Sequence, residues 1–286
     1  MSTARHAFDM MLARFGKRVP LSKDARAALL GLPYELKTYP KHSYLVREGE
    51  RATTAKLIVV GLAYRHKITA DGARQILSLH IAGDFVDLEG SLLSVADHNV
   101  QVLTTCTIAE VPRAAVVELV DRHGAVAHAM WIDSLIDASV YREWVVNVGR
   151  RNSRQAMCHL LCEFGRRLEF AGLAKGGRYE LPMTQEQLAD CLGVTAVHVN
   201  RVLKELDRDG LVLRRERFVE VPDRVRLSKV TRFSDQYLHL DQLVAPNGQA
   251  HRVAKGPASN RTTAIPDEKL TRTASSCFQN ADQPAL

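Results

Sequence analysis

The stretch Met183–Leu211 constrains the fold of this chain most, because its polar and glycine residues fix the ends of two short helices. Thr184 can cap the first helix, and Gln187 three residues later can complete a capping box. Gly193 falls where a tight turn needs a positive φ, and Thr195 can cap the second helix. Helical spacing predicts the buried positions and the closing glycine: Leu188, Ala189, Leu192, Val199, Val202, Leu203, Leu206 and Gly210.

The outer face of the second helix is polar and basic, and its residues at helical spacing are His198, Asn200, Arg201, Lys204 and Arg208, none of them acidic. A helix with such a face, braced by a first helix, is typical of a helix-turn-helix recognition unit. Arginine can bond a guanine edge through two hydrogen bonds, and asparagine can do the same for adenine. An ordinary helical hairpin with a solvated face is the alternative, and the caps and flanking segments favour DNA binding.

The composition agrees with a DNA-binding protein without requiring one. The 286 residues suffice for two domains, and the net charge of +7 favours a polyanionic partner, although a modest excess of charge also serves solubility. The sequence contains no run of about 18 apolar residues, so no membrane helix is predicted. Residues 1–20 also lack the apolar centre of a secretory signal. Five cysteines indicate a reducing cytoplasm, and Cys158 and Cys162 are interpreted as small helix residues, with a redox or metal pair as the alternative.

Residues 34–112 predict an all-β roll or barrel, because short apolar or alternating runs alternate with regularly spaced turn signals. Asp71-Gly72 is a strong signal for a hairpin turn. Two short helices, at 4–16 and 21–30, are predicted before the roll. The predicted strands are Tyr44–Val46, Lys56–Val60, Ala63–Ile68, Ile76–His80 and Val100–Val111.

A long helix is predicted from Arg113 to Gly149, and its apolar surface is too wide for a single neighbour. Residues 125–150 would span roughly 39 Å at 1.5 Å per residue. One stripe is predicted to pack on the same chain: Ile132, Ile136, Val140, Trp144 and Val148. The other is predicted to pack on a second copy: Trp131, Leu135, Ala138 and Val145. A long core helix of a monomer is the alternative.

The segments around the helix pair predict a winged domain. Residues 150–153 form a hinge before a helix at 155–170, and Tyr179–Leu181 is a short strand. After the helix pair, 211–215 and 217–221 can form a hairpin, and Val225–Leu240 is a last amphipathic piece. Arginines at the hairpin tip either contact phosphates or form a solvated turn, and the sequence leaves both open: Arg214, Arg215 and Arg217.

This order of parts resembles the Crp/Fnr superfamily of bacterial transcription regulators over roughly residues 20–242. The most specific segments are Gly83-Asp84-Phe85, the roll-to-helix junction Val111-Pro112-Arg113 and the helix pair. The resemblance implies a homodimer that places two recognition helices in successive major grooves. By position, Arg201 matches the family's guanine-binding arginine, whereas Val197 stands where many members have glutamate. The residues predicted to face DNA are Thr184, Gln185, Thr195, Ala196, Val197, His198, Asn200, Arg201, Lys204 and Arg214.

The resemblance also places an effector pocket around Gly83, Asp84, Asp87, Leu88, Asp97, His98 and Asn99. Cyclic-nucleotide binders of the family carry Gly-Glu where this chain has Asp87 and Leu88, and later an arginine where residues 96–99 read Ala-Asp-His-Asn. In those members, backbone N–H groups at the Gly-Glu turn form a nest that, with the arginine, neutralises the negative charge of the cyclic phosphate. Because a carboxylate replaces the glycine and no arginine is expected near it, binding of cAMP or cGMP is not expected. We predict no cofactor and no metal, and the effector is unidentified.

The predicted fold is therefore α+β: an N-terminal β-roll joined by a long dimerisation helix to a C-terminal winged helix-turn-helix. The expected boundaries are 1–122 for the sensor with its N-terminal helices, 123–150 for the dimerisation helix, 151–242 for the DNA-binding domain and 243–286 for a disordered tail.

These features predict a cytoplasmic, sequence-specific transcription regulator that acts as a homodimer. Its expected partners are double-stranded DNA and RNA polymerase, with no membrane. An alternative is a cyclic-nucleotide-binding module that controls a non-transcriptional partner. No catalytic residue is predicted, because the sequence holds no P-loop, no HExxH and no Gly-x-Ser-x-Gly motif.

Overall fold

The N-terminal half of the chain is an antiparallel β-roll preceded by two helices, in a computed structural model that describes residues 3–88, 90, 93 and 95–240. The helices are α1 (Thr3–Arg18) and α2 (Lys23–Leu30), and Ser22 caps α2 as its sequence position indicates. The two sheets of the roll have the strand orders β1-β7-β3 and β2-β6-β4-β5. The strands are β1 (Glu35–Tyr39), β2 (Tyr44–Val46), β3 (Thr54–Val60), β4 (Ala63–Ile68), β5 (Arg74–His80), β6 (Asn99–Val102) and β7 (Cys106–Pro112).

The C-terminal half is helical apart from a small sheet of strand order β8-β10-β9. Its helices are α3 (Arg113–Arg122), α4 (Gly124–Gly149), α5 (Ser153–Phe170), α6 (Gln185–Leu192), α7 (Ala196–Arg208) and α8 (Arg224–Thr231). Its strands are β8 (Arg178–Glu180), β9 (Leu213–Arg215) and β10 (Phe218–Glu220), and a 3-10 turn spans Gln236–Leu238. The predicted helix-turn-helix is therefore α6 and α7, and the predicted wing is β9 and β10.

The strand predictions are confirmed where the signal is local. Asp71 and Gly72 turn the chain between β4 and β5, and Gly72 adopts a φ of +88°. The run predicted as one strand at 100–111 is instead two strands, β6 and β7, which belong to different sheets. Strand β1 was not predicted, because its side chains are mostly exposed and its pairing with β7 is made by the backbone.

The helix predictions need two corrections. The helix expected at 113–149 is interrupted at His123, where α3 ends and α4 begins. The amphipathic piece expected at 225–240 is also interrupted, because Arg232 adopts a left-handed φ of +51° after α8. The first break lets α3 pack on α4, and the second lets the 3-10 turn after α8 pack on α4.

The β-roll and the winged helix-turn-helix pack on each other, and the described residues belong to one compact unit. The Arg74 guanidinium of β5 pairs with the Asp190 carboxylate of α6 at 2.7 Å. The Gln75 side chain donates to the Asp190 carbonyl at 2.7 Å. This carbonyl lies in the last turn of α6, where the helix itself supplies no hydrogen-bond donor. The domain boundaries proposed from the sequence stay predictions. The segment 243–286, with Cys277, lies outside the described residues.

A cluster of ion pairs around Asp84 joins four elements of the fold. The Asp84 carboxylate accepts from Arg14 of α1, from Arg167 of α5 at 3.2 Å and from the Ile81 amide at 3.0 Å. Arg14 also donates to Asp133 of α4 at 3.1 Å. Burial raises the pKa of Asp84, but the two guanidinium groups outweigh burial and leave that pKa below its usual value of 3.8.

Replacing Asp84 with Ala is expected to lower the free energy of unfolding by about 3–5 kcal/mol, because two guanidinium groups lose a buried partner. Denaturant titration followed by circular dichroism measures this loss. Glu118→Ala is the matched control, since it breaks an exposed pair with Arg122 and should cost about 0.2–1 kcal/mol. The contribution of Asp84 should be complete above pH 3.8 and should disappear on acidification below it. Equal losses for both variants would contradict this account of the cluster.

Candidate nucleic-acid interface

Helix α6 begins at the predicted capping box. The Thr184 hydroxyl accepts from the Gln187 amide at 3.1 Å, and the Gln187 side chain accepts from the Thr184 amide at 2.9 Å. Gly193 ends the helix in the left-handed region with a φ of +65°, as predicted. A β-carbon there would lie 3.2 Å from a Val148 methyl group, so the turn also approaches α4 closely. Thr184 and Gln185 are both exposed at the start of α6.

Helix α7 has the predicted cap and the predicted buried side. The Thr195 hydroxyl accepts from the His198 amide at 3.3 Å, and Gly210 follows the helix with a φ of +64°. Val199, Val202 and Leu206 are buried, and Leu203 is partly buried against the same core. The helix is therefore held by its apolar side and leaves its other side to solvent.

The predicted reading face of α7 is largely exposed. Val197 is 81% exposed near the start of the helix. Arg201, Lys204 and Arg208 are also exposed, whereas Ala196, His198 and Asn200 are half-buried. One expectation is corrected, because Asp207 is exposed and lies three residues after Lys204, which is helical spacing for the same side. The C-terminal end of the face therefore carries one carboxylate.

His198 connects the reading face to helix α5. Its Nδ1 atom lies 2.7 Å from an Arg201 guanidinium nitrogen, and its Nε2 atom contacts the Ser153 hydroxyl. A guanidinium can only donate, so this pairing requires a neutral imidazole with its proton on Nε2. Sequence reasoning missed Ser153, which lies 45 positions before His198. The pair fixes the Arg201 side chain on the exposed side of the helix.

Arg214 does not occupy the predicted position at the tip of the wing. Its side chain is half-buried and donates to the Met183 carbonyl, so it braces β9 against the segment before α6. Arg217 is exposed but pairs with Glu180 of the neighbouring strand β8. Arg215 is exposed in the wing and is the arginine of the three that best suits a phosphate contact.

The residues predicted for an effector pocket do not form one site. Gly83 has a φ of +88° in the turn before Asp84, whose carboxylate is occupied by Arg14 and Arg167. The buried Asp87 accepts from the Gly90 amide at 3.2 Å, and Leu88 is half-buried. These residues are therefore largely engaged in holding the loop.

Of the later predicted residues, Asp97 and His98 line a groove between β4, β5 and α4. The exposed Asp97 carboxylate bonds His98 Nδ1 at 2.7 Å, which lowers the pKa of Asp97. Asn99 accepts from the Glu48 amide at 3.1 Å. The expectation that no arginine stands nearby is wrong, because Arg65 of β4 lines this groove. The Arg65 guanidinium already donates to the Val86 carbonyl at 2.9 Å and to the Tyr141 hydroxyl.

Helix α4 separates its two apolar stripes as predicted. Ile136, Val140 and Trp144 are buried against the same chain, and Ile132 packs on the separate apolar cluster around α1. Val148 departs from the prediction, because it is 46% exposed near the end of the helix. The second stripe remains open: Trp131, Leu135 and Val145 are exposed, and Ala138 is half-buried.

Cys158 and Cys162 are packed residues of α5. Burial raises the pKa of Cys158 to about 11 and that of Cys162 to about 12, so both thiols stay protonated near neutral pH. Within the described ranges, no group of three or more potential metal ligands is brought together. No helix there is both long and apolar enough to cross a bilayer.

Two family models match the chain in the observed order of its parts. The cyclic nucleotide-binding domain model matches residues 36–123, and the Crp-like helix-turn-helix domain model matches residues 155–230.

Known regulators are similar in sequence over most of their length. The chain is 29% identical to the transcriptional activator protein FnrL of Cereibacter sphaeroides, over 67% of this chain and 78% of the relative. It is 24% identical to the nitrogen fixation regulation protein FixK of Azorhizobium caulinodans, over 71% of this chain and 80% of the relative.

Solved structures share the fold. FixK2 from Bradyrhizobium japonicum superposes with a TM-score of 0.65 and 24% identity, over 71% of this chain and all of that one. A mutant of CooA from Carboxydothermus hydrogenoformans superposes with a TM-score of 0.56 and 16% identity, over 76% of this chain and 93% of that one. With a cyclic-nucleotide-binding-like roll, a long helix and a Crp-like winged helix-turn-helix in succession, the chain belongs to the Crp/Fnr superfamily of DNA-binding transcription regulators.

Proposed function

We propose that two copies of this chain bind one DNA duplex and read its sequence through α7. The observation that carries this proposal is the exposed, capped helix on which His198 holds Arg201 toward solvent. A guanidinium held in this way can donate two hydrogen bonds to one guanine edge. The alternative of a cyclic-nucleotide-binding module with a non-transcriptional partner is not favoured, because it gives this face no role.

The chemistry of the other predicted side chains suits some of them to base contacts and others to phosphate contacts. Val197 cannot accept a hydrogen bond from cytosine, but its methyl groups suit a thymine methyl. Asn200 suits an adenine edge, whereas Lys204 and Arg215 suit phosphates. We infer that Thr184, Gln185 and Thr195, near the N-termini of α6 and α7, also face the phosphate backbone. Arg214 is not proposed as a contact, because the Met183 carbonyl holds its guanidinium.

The exposed stripe of α4 supports the dimer. Trp131, Leu135 and Val145 expose between half and three-quarters of their surface. A symmetric partner helix would cover such a stripe, as in a two-stranded coiled coil. The two recognition helices would then be carried about 34 Å apart, which is one turn of DNA.

We infer that the sensor responds to something other than a cyclic nucleotide. The loop that would bind a cyclic phosphate carries Asp87, and the Arg65 guanidinium in the neighbouring groove is already bonded to Val86 and Tyr141. A cytoplasmic location and a contact with RNA polymerase complete the proposal.

Replacing Arg201 with Ala is expected to reduce the preference for a selected duplex over a random one by about 1–3 kcal/mol. Lys204→Ala is the matched control, because it removes an exposed cation one turn along the same helix. That control should weaken binding to both duplexes alike and reduce the slope of log affinity against log salt by about 1. Fluorescence anisotropy at several salt concentrations measures both effects. Unchanged selectivity in Arg201→Ala would show that α7 does not read the bases.

Replacing Val145 with Asp is expected to raise the dimer dissociation constant by about 100-fold or more, because two charges enter one apolar seam and two valines lose their burial. Analytical ultracentrifugation measures the change. Leu36→Asp is the control, since Leu36 is an exposed apolar residue on β1, far from α4 in sequence. A dimer that tolerates Val145→Asp would place the interface elsewhere.

Calorimetric titration with cAMP and with cGMP is expected to give no saturable heat, because neither a free arginine nor a glycine nest meets the cyclic phosphate. The folded state of the sample is verified by its thermal transition. Stoichiometric binding of either nucleotide would restore the alternative function.

A further inference from the structure

A segment after α8 lies across the junction between α4 and α5. The Crp-like domain model ends at residue 230, so residues 233–240 extend beyond the part that the family model describes. We name this segment the strap. Its Leu238 is buried, and its 3-10 turn packs on α4 rather than on the DNA-binding part alone.

Tyr237 makes the central contact of the strap. Its hydroxyl donates to the Glu163 carboxylate of α5 at 2.7 Å. Its ring stacks on the His159 ring with centroids 5.8 Å apart, and Phe233 meets the same imidazole edge-on at 5.3 Å. Burial and the neighbouring Glu163 raise the pKa of Tyr237, so the hydroxyl keeps the proton that it donates. Asp235 adds an ion pair with Arg166 at 2.9 Å.

The same two residues of α5 are bonded to α4. The Trp144 indole donates to the Glu163 carboxylate at 3.0 Å, and the Asn147 side chain bonds His159 Nδ1 at 3.0 Å. Burial lowers the pKa of His159 to about 3, so its ring is neutral and serves as a hydrogen-bonding bridge. Strap, α5 and α4 therefore share one buried polar network on either side of the 150–152 hinge.

We propose that the strap fixes the angle between α4 and α5 and thereby sets the separation of the two recognition helices on DNA. This role rests on the proposed function as a dimeric DNA-binding regulator. Helix α7 is attached to the start of α5, because His198 contacts the Ser153 hydroxyl and Asp209, just after α7, pairs with Arg154 at 2.7 Å. A rotation at the hinge would therefore carry α7 with α5, and in a dimer it would displace the two recognition helices relative to each other. A loosened network would widen the range of their separations and so weaken a two-site contact.

The variant that tests the strap is Tyr237→Phe, which keeps both rings stacked and removes only the hydroxyl. Its matched control is Gln236→Ala, an exposed neighbour in the same turn. A chain that ends after Arg232 removes the whole strap. Each protein is titrated against a duplex selected with the unaltered chain, against a single half-site, and against versions with one or two base pairs added or removed between the half-sites.

The unaltered chain and Gln236→Ala should prefer one spacing sharply. Tyr237→Phe should lower the affinity for that spacing by about 5- to 10-fold, a loss within the range expected for one hydrogen bond. It should also flatten the dependence on spacing and leave half-site affinity unchanged. The shortened chain should show the same pattern more strongly. Since Tyr237→Phe keeps the packing of the ring, its result decides the question even where the shortened chain fails to fold.

The possible failures are distinguishable. If the unaltered chain prefers one spacing and Tyr237→Phe keeps that preference, the role of the strap is overturned and the proposed function stands. If Tyr237→Phe weakens half-site binding equally, the network supports only the fold of the DNA-binding part, and the inference is again overturned. If the unaltered chain has no sequence preference for any duplex, the proposed function fails and the strap has no such role.

Discussion

The buried Asp84 carboxylate is the interaction on which the arrangement of this molecule depends. It accepts from α1 through Arg14 and from α5 through Arg167, and Arg14 extends the cluster to Asp133 on α4. A buried charge is stable only with such partners, so α1, α4 and α5 must all pack around Asp84 in the folded state. The family's Gly-Asp-Phe turn thus has a structural task here. A residue expected to face an effector instead joins the sensor to the DNA-binding part.

Helix α4 completes this connection because it packs on the roll, on α5 and on α6. One stripe is buried in its own chain, while Trp131 and Val145 remain exposed on the other. Its C-terminal end meets the turn of the helix pair, where Val148 approaches Gly193. At the sensor, Arg74 of β5 holds Asp190 of α6. A signal reaches DNA binding only by changing the relative stability of arrangements of these contacts.

The parts that could be predicted from the sequence are those with local causes. The capping box at Thr184, the left-handed Gly193 and the Gly72 hairpin each involve residues within about four positions, so the sequence alone contains the interaction. The features that the sequence did not predict depend on residues that are far apart in the chain. Strand β1 pairs with β7 across about 70 residues, and Arg65 enters the groove from a different strand, so neither leaves a local pattern.

The reading face and the hinge are physically connected, which limits how the molecule can respond to a signal. Arg201 is held by His198, and the same imidazole bonds Ser153, the first residue of α5. Ser153 follows the hinge directly, so a rotation there would move the anchor of Arg201, the proposed base-reading residue, together with the helix pair. In the proposed dimer, such a rotation would change the separation of the two recognition helices without loosening Arg201 on α7. A signal that acts at the hinge would then alter the spacing of the two sites and leave the contacts that hold Arg201 in place.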